Sequence, residues 1–356
     1  MFLEANLTQL SGSLRFLYET LQKREDMEIK VHYLQESGNK LQFIKRALAF
    51  LKDLGDAQYL FLCEGSRVVS CIKPRKETVI TQLWHGCGAF KKFGFSTAQD
   101  RFGGSFEEYL KYNYYANYDY VTVSSPEVIW AYQEAMHLPE EDTSVVASGV
   151  SCTDVLFLQE YQDAAKEKLS RICPQSIGKK VMLYAPTFRG SVGNAKAPEA
   201  LDLSLLKETL GEEWVLLIKQ HPVVKVRPQI PKEAVDFAFD VSDDFVIEEL
   251  LCVSDVCISD YSSLVFEYSL FERPMLFFAF DFEEYGDWRG FYYDYDTMTP
   301  GPVVRTTEEI VDYVQHLEER FDKEEVVRFK ERFMSACDGH ATERILELIQ
   351  KNGENV

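Results

Sequence analysis

Two histidines stand where apolar runs end. His85 follows Thr78-Val79-Ile80-Thr81-Gln82-Leu83 and lies in Trp84-His85-Gly86-Cys87-Gly88-Ala89-Phe90-Lys91-Lys92-Phe93-Gly94-Phe95. His221 closes a second run, in Lys219-Gln220-His221-Pro222. An imidazole that titrates near neutrality can take a proton from a hydroxyl or steady a phosphate oxyanion. For either residue alone, a hydrogen-bonded ring without a catalytic part is the competing explanation. Their matching placement, one in each half of the chain, favours chemistry. His32, His137, His316 and His340 lack that context.

A third stretch, Asp260-Tyr261-Ser262-Ser263, lies between an apolar strand ending at Ser259 and a helix predicted to run to Phe271. Hydroxyls and unpaired N–H groups at such a turn bind phosphate. Asp and Ser also serve there as plain N-caps. Thr187 and Arg189 follow the strand Lys180–Ala185, and a guanidinium suits phosphate. Lys219 reads equally well as a surface charge. Asp281-Phe282-Glu283-Glu284 and Asp294-Tyr295-Asp296 are of a type that holds Mg²⁺. Among 58 acidic residues such clusters arise freely. No metal and no cofactor are therefore expected. Neither a Gly-x-x-x-x-Gly-Lys-Ser/Thr nor a Gly-x-Gly-x-x-Gly motif occurs.

The elements that position these residues alternate. Strands are predicted at 29–34, 59–63, 78–83, 119–124 and 144–147, and again at 180–185, 214–219, 255–259 and 275–280. Helices are predicted at 11–24 (capped by Ser13), 40–54, 127–136, 152–171, 203–210, 245–253 and 260–271. Three more close the chain. This alternation predicts α/β architecture with parallel, doubly wound sheets, whose ligands sit at the carboxyl ends of the strands. Pro174-Gln175-Ser176-Ile177-Gly178 is the candidate linker. The expected domains are 1–173, on the acceptor side, and 179–356, on the donor side, with the last helix able to pack back on the first.

The 356 residues carry a net charge of −20, which argues against nucleic acid as a partner. Residues 1–178 hold 19 Lys+Arg against 23 Asp+Glu, and residues 179–356 hold 19 against 35. Yet Arg67, Lys73, Arg75, Lys76, Lys91 and Lys92 face only Glu77 within 66–99. That local excess suits an anionic substrate or membrane surface, or is a solvated basic face. The helix over 40–54 is basic and amphipathic, either packing on the core or lying on a membrane. Eight scattered cysteines without a Cys-x-x-Cys pair indicate reduced thiols. No signal peptide and no spanning segment are expected.

Several blocks, in this order, resemble the CDP-glycerol glycerophosphotransferase family of teichoic-acid primases and polymerases. They are Trp84-His85-Gly86 with Lys91-Lys92-Phe93-Gly94, Tyr184-Ala185-Pro186-Thr187-Phe188-Arg189, and Lys219-Gln220-His221-Pro222. Ile258-Ser259-Asp260-Tyr261-Ser262-Ser263, Arg273-Pro274, Arg289-Gly290-Phe291-Tyr292, Pro300-Gly301-Pro302 and Asp338-Gly339 follow. The resemblance implies a GT-B-like fold of two Rossmann-type domains with an inter-domain cleft. It implies transfer of a polyol phosphate from CDP-glycerol or CDP-ribitol to a hydroxyl of a lipid-linked teichoic-acid or capsule acceptor, with release of CMP. His85 would be the general base. His221 would bind the donor pyrophosphate. Gly86, Thr187, Arg189, Lys219, Ser259, Asp260, Ser262 and Ser263 would complete the substrate-binding set. The protein would work in the cytoplasm, peripherally on an anionic membrane face. A nucleotide-sugar glycosyltransferase of the GT-B type and a non-catalytic membrane-associated assembly protein are the alternatives.

Overall fold

A computed structural model describes residues 1–98 and 104–353. The chain forms two units, Met1–Val155 with Phe333–Val356, and Leu156–Arg332.

The first unit holds strands β1 (Phe2–Glu4), β2 (Val31–Tyr33), β3 (Tyr59–Leu62), β4 (Val79–Gln82), β5 (Tyr120–Thr122) and β6 (Val145–Val146). They form one parallel sheet in the order β2-β1-β3-β4-β5-β6. Strand β4 is buried at every position. A parallel strand of this kind is covered on both faces, so that even its polar Thr81 and Gln82 are buried. The helix Lys40–Leu54 starts at Asn39, whose side chain accepts from the N–H groups of Leu41 and Gln42. Phe50 and Leu54 turn inward onto Leu3, Leu60 and Ile80. On the other side Leu14, Leu17 and Leu21 of the helix Gly12–Gln22 pack with Phe61, Val79 and Leu83, and with Ile345 and Ile349 of the closing helix Ala341–Gly353.

The second unit holds β7 (Lys180–Ala185), β8 (Trp214–Ile218), β9 (Ala238–Asp240), β10 (Val256–Ser259), β11 (Met275–Phe278) and β12 (Val303–Val304). Their order is β12-β11-β10-β7-β8-β9, again all parallel. Winding runs outward in both directions from the β7/β10 pair. In such sheets the crevice beside that pair, at the carboxyl ends, is the natural ligand position. The expected α/β, doubly wound character is thus present in both sheets.

Several local expectations change. The N-cap of the first helix is Ser11, not Ser13. Residues 152–171 are not one helix: a 3-10 segment Ser151–Phe157 precedes the helix Gln159–Ile172. Within the 3-10 segment the Asp154 carboxylate accepts from the backbone N–H groups of Ala341 (3.0 Å) and Thr342 (2.7 Å) and so caps the closing helix. The helix after Ser263 is short, Leu264–Ser269. Gly149 has φ +85°, and a Cβ there would sit 2.1 Å from the Ala336 carbonyl oxygen, so only glycine fits this turn.

Candidate active site

His85 is exposed just beyond the carboxyl end of β4. Trp84 before it adopts φ +60°, a left-handed conformation that is costly for a bulky residue. Its neighbours over-determine it. The Trp84 N–H donates to Gln82 Oε1 (3.0 Å), and Gln82 Nε2 donates to the Glu64 carbonyl (3.1 Å). The indole packs between the His85 ring (centroids 4.8 Å, 25° between planes) and Phe93 (4.8 Å), with Tyr132 edge-on at 5.6 Å. The strain turns the chain so that the imidazole leaves the sheet edge.

His85 Nδ1 lies 2.9 Å from the Cys63 carbonyl oxygen. A carbonyl only accepts, so Nδ1 carries hydrogen. In the neutral ring Nε2 then holds the lone pair, the arrangement of a general base. The backbone that supplies this carbonyl is itself tied down. Cys63 Sγ meets Ser11 Oγ at 3.4 Å, and burial pushes the thiol up to about 12, so it stays uncharged. The loop after His85 is anchored where the Gly88 N–H donates to Ser124 Oγ (2.9 Å) and Ser124 donates to the Phe333 carbonyl (2.7 Å). Gly86 lies partly exposed beside the histidine.

Lys91 and Lys92, part of the local basic excess, are half-buried and stand in a loop whose phenylalanines pack inward. Phe90 and Phe95 are buried core residues, and Phe93 packs on Trp84 and Tyr132. These phenylalanines hold the His85 loop in place instead of facing outward. The exposed apolar residues of this unit include Leu41, Ile44 and Leu48 on the helix Lys40–Leu54.

In the second unit, the residues after β7 and β10 meet across the winding point. Thr187 N–H and Oγ1 both donate to Asp260 Oδ1, each at 2.8 Å. Arg189 forms a two-pronged pair with Asp281 (Nε to Oδ2 2.5 Å, Nη2 to Oδ1 2.9 Å) and lies 3.0 Å from Asp260 Oδ2 through Nη1. The same Nη1 donates to the Thr187 carbonyl at 2.7 Å. The Tyr261, Phe280 and Tyr285 rings surround the guanidinium at 5.1 to 5.4 Å. Arg189, Thr187 and Asp260 therefore form one buried frame that fixes the 260–263 turn. Asp281, noted in the sequence only for its carboxylate, is the counter-charge of that frame. Ser259 Oγ donates to the Ala185 carbonyl (2.8 Å), a further tie between β10 and β7. The turn then presents Ser262 and Ser263, both partly exposed; Ser263 makes no side-chain cap.

His221 is exposed beyond the end of β8, with the Phe188 ring 5.0 Å away. Here the backbone N–H of Val223 donates to Nδ1 at 3.3 Å. In the neutral ring the hydrogen is thus on Nε2, which becomes a hydrogen-bond donor. Lys219 is turned inward: Nζ donates to the Ser242 carbonyl (2.8 Å) and to that of Phe245, and burial lowers its pKa. It pins the loop after β9 to the end of β8. Asp294 caps the short helix Tyr295–Met298. Among the described residues no group of three or more His, Cys, Asp or Glu side chains is arranged to hold a metal ion. No helix among them is long and apolar enough to cross a membrane.

Known proteins resemble this chain in sequence and in fold. The family model described as CDP-Glycerol:Poly(glycerophosphate) glycerophosphotransferase matches residues 1–351. A teichoic acid ribitol-phosphate primase of Bacillus spizizenii is 33% identical over 348 residues, covering 96% of this chain and 88% of that protein. The teichoic acid poly(ribitol-phosphate) polymerase of the same organism is 35% identical over 353 residues, but the chain, 98% covered, spans only 55% of its length. The solved wall teichoic acid polymerase TagF superposes with a TM-score of 0.77 at 22% identity, over 99% of this chain and 89% of that one, which shows a GT-B-like fold. The chain belongs to the CDP-glycerol:poly(glycerophosphate) glycerophosphotransferase family, a family of transferases.

Proposed function

We propose that the protein transfers glycerol phosphate or ribitol phosphate from a CDP-polyol to a hydroxyl of a teichoic-acid-type acceptor and releases CMP. The observation that carries this is the opposite setting of the two strand-end histidines, in a chain whose relatives are named ribitol-phosphate and glycerol-phosphate primases and polymerases. His85 Nε2 accepts the proton of the acceptor hydroxyl. The oxygen forms a bond to the polyol-bearing phosphorus as the bond from that phosphorus to the CMP oxygen breaks. The electron pair leaves with CMP. His221 Nε2–H donates to the pyrophosphate, where charge grows. Ser262 and Ser263 add hydroxyl donors. Arg189, Thr187, Lys219, Ser259 and Asp260 act through the frame that sets these groups, and Gly86 leaves room beside the base.

A screen of CDP-glycerol, CDP-ribitol and nucleotide sugars, read as nucleotide release, tests the assignment. The expected result is CMP from a CDP-polyol in the presence of acceptor. Turnover of a nucleotide sugar with neither CDP-polyol used would contradict it.

We further propose that the acceptor is lipid-linked and that the protein meets it at the cytoplasmic membrane face. Leu41, Ile44 and Leu48 are 73%, 50% and 62% exposed and share one helical face by their spacing. Exposed Lys40, Lys45 and Lys52 accompany them. An apolar stripe with lysines suits the surface of an anionic bilayer. Flotation with anionic liposomes at low salt, lost in the triple variant Leu41→Ser/Ile44→Ser/Leu48→Ser, is expected. Absence of flotation by the unaltered protein at low salt would end the proposal.

A further inference from the structure

The turn three residues after His85 is held from two sides. Gly88 adopts φ +64° there. Its N–H donates to Ser124 Oγ (2.9 Å), and its carbonyl accepts from Tyr132 Oη (3.2 Å). Ser124 lies just past the end of β5 and is 1% exposed. Its hydroxyl is used in both senses: it accepts from Gly88 and donates to the Phe333 carbonyl (2.7 Å). Its own carbonyl accepts from the Ala336 N–H (2.9 Å). One buried serine thus joins the His85 loop to residues 333–336.

Those residues have a particular place in the chain. Leu156–Arg332 form the second unit, so Phe333 is where the chain re-enters the first. The re-entering segment is bound to the segment by which the chain leaves. Arg344 Nε donates to the Ser148 carbonyl (2.9 Å), and Arg344 Nη2 donates to the Ala336 carbonyl. Ser151 Oγ meets Thr342 Oγ1 at 2.8 Å. With the Asp154 cap on Ala341 and Thr342, these bonds tie 148–154 to 336–344 as one knot within the first unit. Ser124 carries that knot to the loop on which His85 stands.

A hydroxyl shared in this way couples its two partners. While its proton points at the Phe333 carbonyl, a lone pair is aimed at the Gly88 N–H. Moving that carbonyl turns the hydroxyl and weakens its hold on Gly88. His85 is exposed, so its ring is set by the loop and not by enclosure. A misplacement of about 1 Å at a reacting group can cost on the order of 10²-fold in rate.

We propose that Ser124 is a positioning residue for His85, fixing the base-bearing loop to the point where the chain re-enters from the second unit. This rests on the reading of His85 as the general base, and adds a residue that acts through the loop.

Two readouts on the full chain test it: CMP release with a CDP-polyol and acceptor, and the His85 ring tautomer. The tautomer is read from ¹⁵N shifts of histidine-labelled protein, with the His85 signals assigned by their loss in His85→Gln. Ser124→Ala should lower kcat by roughly 10- to 100-fold. It should leave the donor KM within about twofold, and turn the single Nδ1–H form of His85 into a mixture of both tautomers. Ser151→Ala is the control, because it breaks a buried hydroxyl pair of the same knot away from the His85 loop. It should lower the melting temperature about as much, as loss of a buried hydrogen bond does, with kcat and the His85 signals unchanged. If Ser124→Ala does not fold, Ser124→Cys replaces it, keeping the size and a weak donor, with the same changes expected at smaller size. Unchanged kcat and ring signals in the Ser124 variant, equal changes in the Ser151 variant, or a loss confined to KM overturns the proposal. If the unaltered protein releases no CMP, the transferase reading falls by itself, and the ring signals alone decide the role of Ser124.

Discussion

Both units end an inner parallel strand in an exposed histidine, yet they hold the two rings in opposite senses. In the first, a carbonyl fixes hydrogen on His85 Nδ1 and leaves Nε2 as an acceptor. In the second, an N–H fixes the lone pair on His221 Nδ1 and leaves Nε2 as a donor. The same residue type on the same kind of scaffold is thereby left with an acceptor nitrogen in one unit and a donor nitrogen in the other, the setting that the proposed base and anion-binding roles require. Backbone groups make the difference, supplied by Cys63 and Val223. Support also differs. His85 rests on a strained, aromatic loop, whereas the groups near His221 rest on a buried charge frame around Arg189.

The contrast predicts a ranked set of outcomes. His85→Ala should lower CMP release the most, by roughly 10²–10⁴-fold, the usual worth of a positioned base. Donor binding measured without turnover should change little. Equal loss of donor binding would mean that His85 holds the donor as well. Arg189→Ala should act mainly on folding. It leaves buried Asp260 and partly buried Asp281 without their counter-charge, worth up to about 3–5 kcal/mol, and should appear as a lower melting temperature. Unchanged stability would show that the frame is not what fixes the 260–263 turn. Trp84→Ala removes ring packing worth about 0.5–1.5 kcal/mol and should slow turnover by roughly two- to tenfold.

Much of this was legible in the sequence, for reasons that differ from residue to residue. β3, β4, β7, β8, β10 and β11 are inner strands, so their apolar runs announce them, and the turn residues after them follow. β1 was hidden because three residues at the chain's start give no periodicity, although Phe2 pairs with both Val31 and Phe61. β9, of three residues, and β12, of two, are short edge strands. Arg189 and Thr187 stand out in the sequence as substrate-binding candidates, but their saturation by Asp281 and Asp260 is a tertiary fact. The tautomers were invisible for the same reason, since Cys63 lies 22 residues from His85 in sequence and acts through its carbonyl. The burial of Phe90 and Phe95 was equally invisible, because composition does not tell a packed loop from an exposed one.

The sharpest measurement is CMP release by His85→Gln and His221→Gln beside the two alanine variants. A glutamine side chain can donate an N–H but cannot act as a base near neutrality. His221→Gln should recover roughly tenfold over His221→Ala, about one hydrogen bond to a charged group. His85→Gln should be no better than His85→Ala. Recovery at position 85, or none at 221, would contradict the assignment of base and donor.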